Sequence, residues 1–496
     1  MGCRVAAGPW LRSGHGPPIA RPGPGGRLRG LREPLPIIAI VGRPNVGKST
    51  LFNRFAGRRR VLVEDTPGLT RDRIAEEIEV AGRRVLLVDT AGLDADPDNP
   101  IDIAVQGQAQ AALEGADGIF WVVDGQAGLL PQEQELARLL RRGDRPVLVA
   151  VNKIDAPSHQ PRLAEFHALG LEPLRAVSGE HGGGAWDALE ELVAALPTPA
   201  EGGDAPEEGA PAGLQVALAG RPNVGKSSLL NRLLGRERVV VSEVPGTTRD
   251  SIDIRVDTEV GPLTFVDTAG LRRAGRRKLH LERGSALMSL RAIERADVAL
   301  VLCDAQEGFT DQDFRVLSLV RERGCAAALI VNKWDRIEGE EHEGARKRLE
   351  DELARRLAPL RDVPVLRISA LTGKGVRKLP RLVSQLGKAA SIEIPTAELN
   401  RWLQDCVRRH EPAMAQRGSR RRPIKFFYAT QVASRPPTLI LFCTDPRAVQ
   451  PSYRRFLENR LREEFDLSGV PVRLKLRRRS ESGEDGGPRR ASRGRF

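Results

Sequence analysis

The chain has 496 residues, enough for about three domains at ~100–200 residues each, with 40% hydrophobic and 29% charged residues. No apolar run reaches the ~18 residues that a membrane span needs, and a formal charge of +13 points to an acidic partner. Cys3, Cys303, Cys325, Cys406 and Cys443 are scattered without close pairing, which argues against a cysteine zinc site and a disulfide scaffold. Cys303, inside DVALVLCD, reads as a small buried hydrophobe, and the expected compartment is a reducing cytosol. The positive charge sits at the two ends. Residues 1–36 hold six Arg against Glu33 alone, and residues 391–496 hold 23 basic and 12 acidic residues.

Residues 1–36 are rich in Gly, Pro and Arg and lack an apolar run or a helical period, so a secretory signal is excluded. Pro17, Pro18, Pro22 and Pro24 oppose the amphipathic helix of a transit peptide. This segment is expected to be a disordered basic extension, or the product of a start codon placed too far upstream. An internal repeat follows, and it decides the fold. GRPNVGKST begins at Gly42 and GRPNVGKSS at Gly220; DTAGL begins at Asp89 and at Asp267; NKID begins at Asn152 and NKWD at Asn332. Three motifs in one order, offset by 178–180 residues, make a duplicated domain. The copies are expected at 37–196 and 214–390. The stretch between them, 197–213, has four acidic residues and no basic one and reads as a flexible acidic linker.

Within each copy, short apolar runs alternate with amphipathic stretches such as EQELARLLRR. IIAIVG, RVLLVD, GIFWVVD and PVLVAVNK predict strands in the first copy, and LQVALAG, LTFVD, DVALVLCD and AALIVNK in the second. The pattern predicts an α/β fold, a mostly parallel sheet with helices on both faces, with ligands at the carboxyl ends of the strands. Every motif falls there. After Ile394 the pattern becomes α-β-β-α-β over 391–476, a small α+β module. Its first helix is marked by Leu399, Trp402, Leu403, Cys406 and Val407. Its second is marked by Tyr453, Phe456, Leu457, Leu461 and Phe465, and its few aromatic residues are expected on core faces. Residues 477–496 read as a disordered basic tail.

GxxxxGK[ST] occurs twice, as Gly42, Arg43, Pro44, Asn45, Val46, Gly47, Lys48 and Ser49 with Thr50 following, and as Gly220, Arg221, Pro222, Asn223, Val224, Gly225, Lys226 and Ser227 with Ser228. The glycines let backbone N–H groups wrap a phosphate chain at a helix N-terminus. Lys48 and Lys226 would bridge the β- and γ-phosphates, and Ser49 and Ser227 would ligate magnesium. In Asp89, Thr90, Ala91, Gly92 and Leu93, and in Asp267, Thr268, Ala269, Gly270 and Leu271, the Asp can hold magnesium through water. The Gly can offer its N–H to the γ-phosphate and move when that phosphate leaves. Thr70 and Thr248, between those motifs, can complete the magnesium shell. Lys48, Thr70 and Gly92, with Lys226, Thr248 and Gly270, are the candidate catalytic positions. NKxD, as Asn152, Lys153, Ile154 and Asp155 and as Asn332, Lys333, Trp334 and Asp335, selects the base. Guanine presents two donors that one carboxylate accepts bidentately. The Asn would brace the loop and contact the base, and the Lys stem would cover the base's face. Ser178-Gly179 and Ser369-Ala370 are candidate base-capping turns.

The tandem arrangement resembles the Der (EngA) family of double Era-like GTPases, bacterial ribosome-assembly factors. The resemblance covers about 37–476 and rests on GRPNVGKS twice, TRD twice, DTAG, NKID, NKWD and YRRFLENRLREEF. It implies GTP hydrolysis, action in maturation of the large ribosomal subunit, and a KH-like third domain packed between the two GTPase domains. Residues 1–36 have no counterpart, Ser178-Gly179 replaces the usual Ser-Ala, and LRRAGRRKLHLERGSALMS departs from the family pattern. Ras-like enzymes orient the attacking water with Gln after the DTAG glycine; here Leu93 and Leu271 cannot. Similar GTPases hold potassium with a phosphate-loop Asn, which matches Asn45 and Asn223.

No GxxG clamp occurs in 391–476, so phosphate and shape recognition of folded ribosomal RNA is expected. Arg420–Arg422 and Arg477–Arg479 are the candidate contacts. The first switch reads DADPDNPID, whereas the second carries Arg272, Arg273, Arg276, Arg277 and Lys278, so only the second suits RNA. The expectation is a cytoplasmic monomer that docks on the large-subunit precursor and its rRNA, using GTP, magnesium and potassium, with no membrane partner. A tRNA-modification GTPase and a non-hydrolysing GTP-sensing adaptor are the alternatives.

Overall fold

The computed structural model describes residues 34–58, 75–90, 109–197, 213–235, 253–268, 285–417 and 420–478. The first α/β unit contains β1 (Ile37–Val41), α1 (Lys48–Arg58), β2 (Ala75–Val80), β3 (Arg83–Asp89), β4 (Gly118–Asp124), α2 (Pro131–Leu140), β5 (Val147–Asn152), β6 (Leu174–Ala176) and α3 (Ala185–Ala195). Its strand order is β2-β3-β1-β4-β5-β6. The β2–β3 pair is antiparallel and the others are parallel. Every residue of β1, β4 and β5 is buried, as helices on both faces require. The antiparallel edge strand β2, AEEIEV, carries no continuous apolar run and is not among the strands the sequence predicts. Between β5 and β6 the chain forms a 3-10 segment, Pro157–Leu169, where Pro161 interrupts a regular helix.

The second unit repeats the plan with β7 (Leu214–Ala219), α4 (Lys226–Leu234), β8 (Ile254–Thr258), β9 (Gly261–Phe265), α5 (Ser285–Arg295), β10 (Val298–Asp304), α6 (Asp311–Glu322), β11 (Ala326–Asn332), α7 (Glu343–Arg356), β12 (Val365–Arg367) and α8 (Leu379–Ala390). Its order, β8-β9-β7-β10-β11-β12, matches the first sheet strand for strand. Cys303 lies fully buried in β10, where burial raises its thiol well above the usual range.

The C-terminal unit contains α9 (Thr396–Arg409), β13 (Ala415–Arg417), β14 (Arg420–Arg422), β15 (Phe426–Ser434), β16 (Pro437–Cys443), α10 (Pro451–Glu464) and β17 (Arg473–Arg478). The expected α-β-β-α-β order is present, with a small β13–β14 hairpin added before β15. Leu399, Trp402, Leu403 and Cys406 of α9, and Tyr453, Leu457 and Leu461 of α10, bury one face of the sheet. The aromatic residues do not all face that core. Phe427 is 39% exposed, and Tyr428 stacks on Phe442 on the opposite face. Two β-bulges in β15 shift the alternation on which a core assignment depends.

The described contacts join the first unit to the second and the second to the C-terminal unit. Leu287 and Leu290 of α5 enter the first unit's core. The second unit's core continues through Val383 and Leu386 of α8 into Leu403, Leu441 and Leu457 of the C-terminal unit. There the Ala327 N–H donates to the Gly469 carbonyl at 2.8 Å, and Arg435 pairs with Asp297 at 2.6 Å.

A buried ionic cluster closes the first joint. Arg323, after α6, donates from Nη1 to Glu77 of β2 at 3.0 Å and from Nε to Glu294 of α5 at 2.5 Å. Burial opposes the charge on Arg323, but the two carboxylates outweigh it and raise its pKa. Burial likewise pushes Glu77 up, and Arg323 and Arg84 outweigh that and hold it below the usual range. Glu294 also accepts from the Leu35 N–H at 3.4 Å. Removing one member leaves buried charge unpaired, which costs about 3–5 kcal/mol. Arg323→Ala is therefore expected to lower stability by about that amount in chemical denaturation, whereas Arg175→Ala, at the half-exposed pair with Glu191, should change it by ~0–1 kcal/mol.

Candidate nucleotide sites

Both phosphate loops link the carboxyl end of a central strand to a helix N-terminus, β1 to α1 and β7 to α4. Asn45 (φ 65°) and Asn223 (φ 61°) are left-handed, as are Gly47 (φ 98°) and Gly225 (φ 97°), so each loop curls over the helix start. Glycine is required at the last of these positions. A Cβ on Gly47 or Gly225 would lie 2.2 Å from Nδ2 of Asn152 or Asn332, respectively. That Asn amide is the brace of the site. Asn152 donates to the Val46 carbonyl at 2.7 Å and accepts from the Gly179 N–H at 2.8 Å. Asn332 donates to the Val224 carbonyl at 2.8 Å and accepts from the Ala370 N–H at 2.9 Å. The phosphate loop, NKxD and the capping turn are thereby tied together in each copy. Ser178-Gly179 holds the same geometry as Ser369-Ala370.

Lys48 is buried and donates to the Gly42 and Arg43 carbonyls, both at 2.6 Å. Burial lowers its pKa to about 8, with Asp89 opposing the fall and Arg43 adding to it. Lys226 repeats the pattern, to the Gly220 and Arg221 carbonyls at 2.8 and 2.6 Å. A buried ammonium at the mouth of a nest of N–H groups suits a polyanion. The residues also fit a divalent cation. Ser49 Oγ donates to Asp89 Oδ2 at 2.8 Å, which places the two expected magnesium groups side by side. In the second copy, Asp267 Oδ2 is buried without a hydrogen-bond partner among the described residues. Burial raises the Asp267 carboxyl, Asp253 and Glu114 add to the rise, and Arg291 and Arg295 oppose it. A cation would relieve that cost. Thr90 Oγ1 donates to the Ile40 carbonyl at 2.7 Å and fastens the end of β3 to β1, and Thr268 is buried at the equivalent place.

At the base end, Lys153 and Lys333 have left-handed φ of 68° and 59°. Their ammonium groups are anchored to Asp124 Oδ2 at 2.6 Å and to Asp304 Oδ2 at 2.5 Å. Burial would raise Asp124, but the Lys153 bond and the Gln126 and Ala127 N–H groups outweigh it and lower its pKa. Asp124 and Asp304 were not among the expected site residues. Their signal was present in the sequence, since both repeated strands, GIFWVVD and DVALVLCD, end in Asp. Ser178 Oγ donates to Asp155 at 2.6 Å, and Asp335 keeps one buried oxygen, Oδ1, without a hydrogen-bond partner among the described residues. Ile154 and Trp334 sit half-buried beside these loops. Arg43 and Arg221 point their guanidinium groups to the helix starts of α2 and α6. They pair with Glu133 at 3.0 Å and Asp313 at 2.9 Å, so these loops offer backbone rather than guanidinium to a phosphate. Pro44, Thr50, Pro222 and Ser228 lie exposed around the loops. Thr70, Ala91, Gly92 and Leu93, with Thr248, Ala269, Gly270 and Leu271, lie outside the described residues. So do the second-switch residues 272–278.

The fold and these two sites define a tandem P-loop GTPase with a KH-like C-terminal domain. A family model described as "50S ribosome-binding GTPase" matches 37–153 and 215–333. One described as "KH-domain-like of EngA bacterial GTPase enzymes, C-terminal" matches 393–477. The "Elongation factor Tu GTP binding domain" matches 286–389. GTPase Der of Moorella thermoacetica is 44% identical over 90% of this chain and 100% of its own length. GTPase Der of Symbiobacterium thermophilum is 45% identical over 90% of this chain and 93% of its own length. A crystal structure of an Era variant from Aquifex aeolicus bound to GDP and aluminium fluoride aligns at 22% identity and a TM-score of 0.27. It covers 53% of this chain and 92% of that one. The chain belongs to the GTPase Der family, and it is a GTPase with GTP as substrate and magnesium as the accompanying metal. No described helix is long and apolar enough to cross a membrane.

Asp335→Asn, made with the first site disabled by Lys48→Ala, should lose about 1.5–3 kcal/mol per charge-assisted bond to guanine. Relative affinity for xanthine nucleotide should rise. A fluorescent-nucleotide titration measures both.

Proposed function

We propose that the chain acts in ribosome biogenesis, as a cytoplasmic monomer that docks on the large-subunit precursor and its rRNA according to nucleotide state. The units are 37–196, 214–390 and 391–476, with basic segments at 1–36 and 477–496 and an acidic linker at 197–213. One observation carries the reading. Two nucleotide sites carry the same brace, and the second unit shares a continuous core with the C-terminal unit; the segment 391–496 holds 23 basic residues against 12 acidic ones. The ribosome-binding description of the matching family model agrees with it. Of the two switches, only the second is basic, so the second site is the one whose nucleotide controls RNA contact. Co-sedimentation with large-subunit precursors in a GTP analogue tests this. Lys226→Ala should lose more binding than Lys48→Ala, and log affinity against log salt should fall by about 0.7–0.9 per phosphate neutralised. Equal loss in both variants would mean that switch charge is only a solvated surface.

Within the sites, Lys48, Thr70 and Gly92, and Lys226, Thr248 and Gly270, carry catalysis by holding the γ-phosphate and its developing charge. Ser49, Thr70 and Asp89, and Ser227, Thr248 and Asp267, would hold magnesium, which would neutralise phosphate charge. Leu93 and Leu271 cannot orient water, and the exposed, left-handed Asn45 and Asn223 offer oxygen ligands for potassium at the loop rim. GTP turnover is expected to be faster in potassium than in sodium. In Asn45→Ala, Asn223→Ala protein the difference should disappear. Equal wild-type rates in the two salts would remove the ion, and no turnover in either would favour the adaptor.

A further inference from the structure

The three-stranded sheet of the C-terminal unit has order β15-β16-β17, antiparallel then parallel. Its α9 and α10 face is filled by Leu439, Leu441 and Leu474. Alternate residues face the other way. In one row across the strands stand Tyr428, Phe442 and Arg477, and in the next Thr430, Ile440 and Lys475. The rings of Tyr428 and Phe442 stack with centroids 4.3 Å apart and planes 18° apart; both residues are half-buried, as is Thr430, and Ile440 beside them is buried. Lys475 and Arg477 are exposed, as is Arg478 at the strand end. None of these three has a carboxylate partner among the described residues. Elsewhere in this unit, Arg408, Arg435, Arg454, Arg460 and Arg462 are all paired with acids. The rows formed by Tyr428, Phe442, Arg477, Thr430, Ile440 and Lys475 contain no acidic residue.

We propose that this open face binds a single-stranded segment of RNA, one unpaired base stacking on the flank of the Tyr428–Phe442 pair while Lys475 and Arg477 hold adjacent phosphates. The proposal rests on the reading of the chain as an rRNA-docking protein and deepens it. Stacked, half-buried aromatic rings, bordered by exposed cations with no carboxylate partner among the described residues, match the two halves of a nucleotide. The π-face takes any unpaired base and the cations take its backbone. A duplex hides its base faces and could engage only the cations. A protein partner would leave Lys475 and Arg477 to find acids of its own. The GxxG clamp, absent from 391–476, is not needed for this mode.

The test uses the full chain, a short single-stranded RNA containing 2-aminopurine, a duplex of the same length and an acidic peptide. The single strand should bind more tightly than the duplex, and its fluorescence should be quenched by stacking. Tyr428→Ala and Phe442→Ala should weaken single-strand binding by about ten-fold or more and abolish the quench. Tyr428→Phe, which keeps the ring, should retain both. Lys475→Gln and Arg477→Gln, on exposed positions, should each reduce the salt slope by about 0.7. Equal affinity for duplex, equal competition by the acidic peptide, or an unchanged quench in Tyr428→Ala would overturn the proposal. Precursor co-sedimentation on the same proteins separates the two levels. Wild-type protein that sediments with the precursor but leaves 2-aminopurine unquenched refutes the stacking face alone. Protein that does neither refutes the docking reading as well.

Discussion

Each nucleotide site depends on one buried amide. Asn152 and Asn332 leave the ends of β5 and β11 and reach, with both amide atoms used, to the phosphate loop on one side and the capping turn on the other. Three loops from separate strand ends are thereby held in one geometry by two hydrogen bonds, each worth about 1 kcal/mol net. The approach is close enough that the loop residue beside it must lack a Cβ, which is why Gly47 and Gly225 stand where they do. Lys48 and Lys226 then have fixed carbonyls to hold them, and the Lys–Asp anchors at Asp124 and Asp304 fix the opposite wall. These bonds set the phosphate loop, the NKxD loop and the capping turn in place relative to one another.

The relation between the units depends on charge buried where they meet. Arg323 is a buried cation between carboxylates from two units, and such a group is costly unless every partner is in place. The cluster therefore favours one relative placement of β2 and α5, with Leu287 and Leu290 supplying apolar contact beside it. At the second joint the apolar core itself is continuous, and ion pairs such as Arg435–Asp297 lie at its margin. The two joints differ in kind, one specified mainly by paired charge and the other by shared hydrophobic burial.

Much of the fold was legible because the duplication reads the same chemistry twice. Fully buried strands appear as apolar runs, and β1, β4, β5, β10 and β11 fall where those runs stand. Edge strands are less legible. β2 and β8 contain charged residues because one side of each lacks a neighbour, and β6 and β12 have only three residues each. The aromatic residues of the C-terminal sheet were misread for a related reason. Period-2 reasoning assumes an unbroken strand, and the bulges in β15 break the register between Phe426 and Tyr428.

Read in one dimension, the chain shows local chemistry: two phosphate loops, two guanine-selecting motifs, the buried strands in their order, and where the charge is concentrated. Those depend on residues close in the chain, whose spacing survives in one dimension. Only the tertiary structure decided that Asn152 and Asn332 brace rather than merely adjoin the loops, and that Asp124 and Asp304 hold the lysines. It likewise decided that Glu77 and Arg323, separated by 246 positions, share a buried bond, and that Tyr428, Phe442 and Arg477 line up on an open face. Each of these is a contact between strands or units, set by sheet register and by which surfaces must leave water together.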